Sequence, residues 1–471
     1  MPLAPDEGGF LLVASQWSPG TSLYGSYWVD RPPLLIGLFQ IADLGGGAVA
    51  LRLLGTVAVV ASVLLAAPVG RAFAPSSGRA PVVCAATVAV FLSTPLFGAT
   101  EVNGELLALP FVLTGFLAAS RALMEPRRPL AMAWWAAAGV AGAAAAMVKQ
   151  NMIEVFVFAA VSVAWMLGRR RVGRAAAIRS LAAFGLGAGV LVAAVVGWAW
   201  SRGTDPAPLW NAVVSFRAAA ASVISASADD ATPHRAQLLA LAFAASGAIA
   251  VVAAALVPGR HPTRDGRHLD VAQQPVDVRW VACGVSAWEV FAVAAGGSYW
   301  LHYLVATVPG LVLIVASVCS RKPHRIRWVV TSLVYGAVVA TAALFWVAGH
   351  ETGADSAVER YLLAHERPGD TGVVGFGDPA ILETAHLSSP YPQLWSLPVR
   401  VLDPHLVAFT RTLRGPDRPT WVVVNGTSLT TWGVDASKAE PVLDRDYRRV
   451  KTEGSYVIYR VRVPVSGPVG E

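Results

Sequence analysis

The stretch RLLGTVAVVASVLLAAPVG, residues 52–70, decides the fold. Beyond Arg52 it carries no charge, and about 20 apolar residues is what a helix needs to cross a bilayer core. Nine more runs of this texture follow, at 80–97, 106–123, 131–148, 152–168, 180–200, 236–257, 279–296, 302–318 and 328–348. Gly, Ala and Val dominate them, which suits close helix packing in lipid. The pattern predicts a mainly α, polytopic transmembrane bundle of about ten spans. The composition agrees, with 55% of the 471 residues hydrophobic and 14% charged, against about 25% charged in soluble domains. A soluble enzyme and a disordered chain are both excluded.

The net charge of +7 does not form a nucleic-acid stripe. Basic residues cluster in short loops between the apolar runs, as at Arg169-Arg170-Arg171 and Arg321-Lys322. The loops 71–79, 121–130, 169–179, 258–279 and 320–327 hold 18 Lys and Arg. The opposite set, 98–105, 149–151, 201–235 and 297–301, holds 4. The positive-inside rule puts the first set in the cytoplasm, so residues 1–51 and the C-terminal tail both lie outside. Arg outnumbers Lys 33 to 4, a coding bias rather than a function. The three cysteines, Cys84, Cys283 and Cys319, lie far apart in apolar runs, so neither a zinc site nor a disulfide framework is indicated.

Three units follow: a first loop with juxtamembrane helices (1–51), the bundle (52–349) and a C-terminal domain (350–471). In the last, Val373-Val374-Gly375-Phe376, Trp421-Val422-Val423-Val424 and Tyr456-Val457-Ile458-Tyr459 read as short buried strands. Helical stretches at 379–386 and 404–413 separate them, giving a small α/β domain outside the membrane. Gly375-Phe376-Gly377-Asp378-Pro379-Ala380 matches G-x-G-x-x-A after a strand. Pro379 is unusual there, and the reading is a turn rather than a dinucleotide site.

Polar residues gather on the outer side. Asp6-Glu7 opens an amphipathic segment with Phe10, Leu11, Val13, Ala14 and Trp17; Tyr24, Tyr27 and Trp28 then lead into Asp30-Arg31-Pro32-Pro33-Leu34, ahead of an apolar helix too short to span. Glu101 and Glu105, spaced i, i+4, flank Asn103-Gly104 at the entrance of the third span. Lys149-Gln150-Asn151 and His302-Tyr303 occupy two further outer turns. Each has a plain explanation as helix cap, aromatic belt or snorkelling cation. Together they place carboxylates and cations on one membrane face.

The run Asp6-Glu7-Gly8, Trp17, Gly20, Tyr24, Asp30-Arg31-Pro32-Pro33-Leu34 resembles the first external loop of GT-C integral-membrane glycosyltransferases. The nearest branch looks like the bacterial relatives of dolichyl-phosphate-mannose protein mannosyltransferases and the lipid A aminoarabinose transferase. The resemblance continues through Asn103-Gly104-Glu105, Lys149 and His302-Tyr303. The family's usual Lys is Arg31 here, which keeps the charge, and Asp30 stands where His is common. The family's first helix has no counterpart before Asp6, so the expectation is a sequence that starts one helix late, through a misplaced start or a truncated gene.

The resemblance implies a polyprenyl-phosphate-linked sugar as donor and a protein, lipid or glycan hydroxyl as acceptor. Chemically, such a transfer needs a carboxylate to take the acceptor's proton and a cation against the departing phosphate. Asp6 suits the first role, with Glu105 and Glu101 as the second acidic site. Arg31 and Lys149 suit the phosphate. Glu7, Tyr24, Asp30, Asn103, His302 and Tyr303 are candidates for positioning substrate, and one displacement implies inversion. A divalent metal, if one is used, would take Asp6, Glu101 and Glu105. A lipid-linked sugar flippase or other transporter is the alternative, with Glu289 as its mid-span carboxylate, as is a non-catalytic relative.

Overall fold

The computed structural model describes residues 2–226, 231–257, 276–350 and 354–462. Two predicted regions therefore lie partly outside it, the basic loop 258–279 and the end of the C-terminal domain, 463–471. Helices dominate. In chain order the first eight are α1 (Pro5–Ser15), α2 (Pro33–Leu44), α3 (Ala48–Phe73), α4 (Ala80–Leu92), α5 (Gly104–Met124), α6 (Arg128–Val148), α7 (Glu154–Gly168) and α8 (Arg174–Ser201). Eight helices among the described residues are long and apolar enough to cross a membrane, and a ninth span follows if one bent pair counts.

The ten expected spans meet three adjustments. The runs at 80–97 and 152–168 form helices of 13 and 15 residues, α4 and α7, shorter than a bilayer core requires. The run at 236–257 breaks after Ala245 and bends by 68°, because Gly247 takes φ +86°, a conformation glycine adopts without steric cost. The stretch 201–235, read as a loop, contains the 19-residue apolar helix Pro206–Ile224.

That helix does not reverse the alternation of the bundle. Thr204, just before it, accepts from Trp17 Nε1 and donates to the Leu23 carbonyl, at 3.1 and 3.0 Å. Halfway along, Phe216 stacks edge-on against Trp28 at 4.6 Å. At its far end Ile224 lies against Gly297. All of these partners sit at the end of the bundle that carries residues 1–51, termed the upper end, so the helix lies along that end. The described basic loops then all fall at the opposite end.

The first loop is folded rather than spread on a surface. The run from Glu7 to Ala14 is buried without a break, so α1 is buried all round and is not the expected amphipathic segment. Helix α2 covers one side, with Phe10 against Phe39 at 5.2 Å, and the C-terminal domain covers the other. Trp17 packs on Tyr24 and Trp198, each at 4.7 Å.

The C-terminal domain contains a four-stranded sheet of order β1-β2-β4-β3. The strands are β1 (Gly372–Gly375), β2 (Trp421–Asn425), β3 (Tyr447–Glu453) and β4 (Tyr456–Val461). β1 and β2 are parallel, and β4 runs antiparallel to both neighbours. The buried runs of β1, β2 and β4 were legible in the sequence. β3 escaped because it exposes four of its seven residues, as an edge strand does. The G-x-G-x-x-A segment is a turn that leads into the short helix Ala380–Thr384. Cys84 and Cys319 are buried and Cys283 faces outward, all three as free thiols.

Candidate active site

Helix α1 begins with Pro5 at its first turn, where its fixed φ is already helical. Asp6 and Glu7 follow one another there, so a helical rotation of about 100° sends their side chains different ways. Glu7 turns inward and is fully buried. Its carboxylate accepts from the backbone N–H of Ala4 at 2.8 Å and of Val102 at 2.6 Å. Arg52 at the start of α3 grips both of its oxygens. Glu7 thus ties α1 to α3 and to the loop before α5. Asp6 turns the other way and is partly exposed.

The Asp30-Arg31-Pro32-Pro33 run ends in a proline at the first position of α2, which fixes where the loop stops. Asp30 is nearly buried. It pairs with Arg31 at 2.5 Å and with Arg217 at 2.6 Å. Burial pushes the Asp30 carboxyl up, yet Arg31, Arg217 and Lys149 outweigh it and hold the group below the usual carboxylate range. The Arg31 guanidinium lies over the Phe10 ring at 5.8 Å, and its buried Nε has no hydrogen-bond partner among the described residues. Tyr24 is fully buried and donates to the Arg31 carbonyl at 2.9 Å. It acts on the site through this backbone bond. Gln150, at the turn after α6, donates to the Asp30 carbonyl at 2.5 Å.

The second acidic cluster sits where α5 starts. Asn103 caps that helix by accepting from Leu106 N–H at 2.9 Å, while its buried Nδ2 has no hydrogen-bond partner among the described residues. Glu105 is almost fully buried and pairs with Lys149 at 3.0 Å. Its Oε2 has no hydrogen-bond partner among the described residues. Lys149 Nζ also lies 5.9 Å from the Tyr303 ring centroid. Glu101 pairs with His302 Nδ1 at 2.5 Å. Gly98 permits that approach, because a Cβ there would sit 2.8 Å from the His302 side chain.

All eleven candidate residues therefore belong to the upper end, and the electrostatic influence of Asp6 reaches both Arg31 and Lys149. Four of the five acidic candidates each have a basic partner: Glu7 has Arg52, Asp30 has Arg31 and Arg217, Glu101 has the His302 imidazole and Glu105 has Lys149. Asp6 is the candidate acid that makes no ion pair among the described residues, and Glu154, buried at the start of α7, makes none either. The hydrogen-bond partner of Asp6 is Trp395 Nε1, at 3.0 Å from Oδ1. No three His, Cys, Asp or Glu side chains among the described residues gather as a metal site would require.

Two residues went unread in the sequence. Arg217 sat in a segment taken for a loop, and the apolar texture of 206–224 was the signal that could have placed it. Trp395 comes from a domain nearly 400 residues away in sequence, and nothing local marks it. Glu289 proves to be a tie between helices. Its Oε1 accepts from Gly310 N–H at 2.7 Å, and a Cβ at Gly310 would collide with its carboxylate at 2.0 Å.

These features define a multi-pass helical protein with a carboxylate and cation cluster at one membrane face, roofed by a small α/β domain. Its fold is similar to that of a solved archaeal oligosaccharyltransferase. The oligosaccharyltransferase of Archaeoglobus fulgidus, in a complex with zinc and sulfate, superposes with a TM-score of 0.52 at 12% identity, over 95% of this chain and 67% of that one. The same enzyme, AglB, with an inhibitory peptide and dolichol phosphate, gives 0.50 at 12% identity, over 99% and 72%. ArnT from Cupriavidus metallidurans, bound to undecaprenyl phosphate, gives 0.43 at 12%, over 99% and 95%. No protein-family model matches the sequence, and no curated protein is similar to it in sequence.

Proposed function

We propose that this protein is an extracytoplasmic membrane glycosyltransferase that moves a sugar from a polyprenyl-phosphate carrier to an acceptor hydroxyl. The observation that carries the reading is Asp6, the one of the five acidic candidates without an ion pair among the described residues, set within reach of the fields of Arg31 and Lys149. A base must be able to take a proton, and a cation partner opposes that. A leaving phosphate, by contrast, needs cations.

In this reaction the acceptor oxygen attacks the anomeric carbon, and its proton passes to the Asp6 carboxylate. The bond from that carbon to the phosphate oxygen breaks, and the polyprenyl phosphate leaves with the electron pair. Arg31 and Lys149 receive the developing charge, with the unpartnered Arg31 Nε as a donor already in place. Arg217 and Asp30 hold Arg31 in position. Glu105, Glu101, His302 and Tyr303 line the acceptor side, and a single displacement inverts the anomeric centre. The dolichol phosphate named with AglB supports a lipid-linked donor, and the basic opposite end supports the extracytoplasmic orientation.

Asp6→Asn tests the assignment with labelled polyprenyl-phosphate sugars and purified protein. The expected result is loss of transfer by about 100-fold or more, the range of general-base contributions, with wild-type expression and melting. Full activity in that variant refutes Asp6 as the base. A wild-type protein that moves lipid-linked sugar across vesicles without transferring it would instead establish the transporter reading.

A further inference from the structure

We propose that Trp395 is a positioning residue for Asp6, which makes the C-terminal domain a working part of the transfer site. This rests on the reading of Asp6 as the base. The indole N–H holds Oδ1 at 3.0 Å and leaves Oδ2 for the acceptor's proton. The choice of donor is chemically apt. A neutral N–H fixes the orientation of a carboxylate without neutralising it, whereas the other four acidic candidates have basic partners.

Trp395 is itself held firmly. Its ring packs against Phe10 at 5.3 Å and lies against α1 at Gly9, where a Cβ would sit 2.3 Å from the indole and 2.7 Å from Pro379. At Gly8 a Cβ would sit 2.4 Å from Ala380 Cα. The two glycines directly after Asp6-Glu7 thus admit the domain to the base. The segment leading to Trp395 is laid along the first loop as well. Trp28 N–H donates to the Pro392 carbonyl at 2.9 Å, and Ser389 N–H donates to Tyr27 Oη at 2.8 Å. Tyr391, between them, is buried and donates to Asp403 at 3.0 Å. A domain that merely recognised acceptor would need none of these contacts around the base.

Trp395→Phe keeps the ring on Phe10 and Gly9 and removes only the N–H. The expected result is a fall in kcat of roughly tenfold, the worth of one hydrogen bond to a charged group, with the donor KM unchanged. A variant with wild-type kcat overturns the proposal. A second measurement needs no turnover. In substrate-free protein labelled with 15N-tryptophan, Trp395→Phe identifies the Trp395 indole resonance, and Asp6→Asn must shift it. A resonance that stays in place overturns the contact. If the wild type transfers no sugar at all, the glycosyltransferase reading fails, while the resonance still decides whether Trp395 holds Asp6.

Discussion

Exchanging Glu7 for Gln, beside an intact Asp6, separates two adjacent carboxylates that the sequence cannot tell apart. The Glu7 carboxylate is fully buried, accepts from Ala4 and Val102 N–H on different oxygens, and is gripped by Arg52. Gln keeps one acceptor oxygen, so one backbone N–H faces an amide donor and Arg52 loses its countercharge. Breaking a buried ion pair costs about 3–5 kcal/mol. The Arg52 side chain is 30% exposed and regains some hydration, which argues for the low end, about 3 kcal/mol. In detergent-solubilised protein that corresponds to a fall in Tm of roughly 5 °C, read by tryptophan fluorescence. Asp6→Asn should leave Tm within about 1 °C, as a partly exposed group without an ion pair does. A Glu7→Gln protein that melts with the wild type would refute this division of labour, as would an Asp6→Asn protein that melts well below it.

Arg217→Ala leaves Asp30 with Arg31 alone and pulls Arg31 from the phosphate, so the donor KM should rise roughly tenfold with kcat less affected; an unchanged KM argues against it. Gly8→Val places branched atoms where even a Cβ would collide with Ala380, so the C-terminal domain should undock and become protease-sensitive in the native protein. Glu383 titrates near about 7 because it is buried and faces Asp43. A raised acid contributes stability that is complete below its unfolded value of 4.5 and is lost as pH rises through about 7. Domain docking, followed by limited proteolysis, should weaken over that window in the wild type and stay flat in Glu383→Gln.

The spans were legible because lipid offers a helix no polar partners, so each crossing must announce itself as an apolar run. The stretch 201–235 was read as a loop, and the apolar texture at 206–224 belongs to a helix that lies along the upper end. The pattern of apolar runs was blind to the 68° bend after Ala245, since a glycine turn changes direction without changing hydropathy. In the site, Asp6, Arg31, Glu105 and Lys149 could be picked out as charges where charges are costly. Which of them remains unpaired could not, because ion pairs such as Lys149 with Glu105 join residues 44 positions apart.

The sequence by itself determined a multi-pass α bundle, basic loops at one end, an acidic and cationic face at the other, and an α/β domain after the last span. These follow from the free energy of burying apolar surface and from the cost of stranding charge, both of which are written residue by residue. Tertiary structure decided what the charges do. It turned Glu7 inward onto Arg52, supplied Arg217 to Asp30, and brought Trp395 to Asp6 across 389 positions of sequence. Such pairings depend on which surfaces meet when helices and domain pack, and short-range pattern carries no record of that.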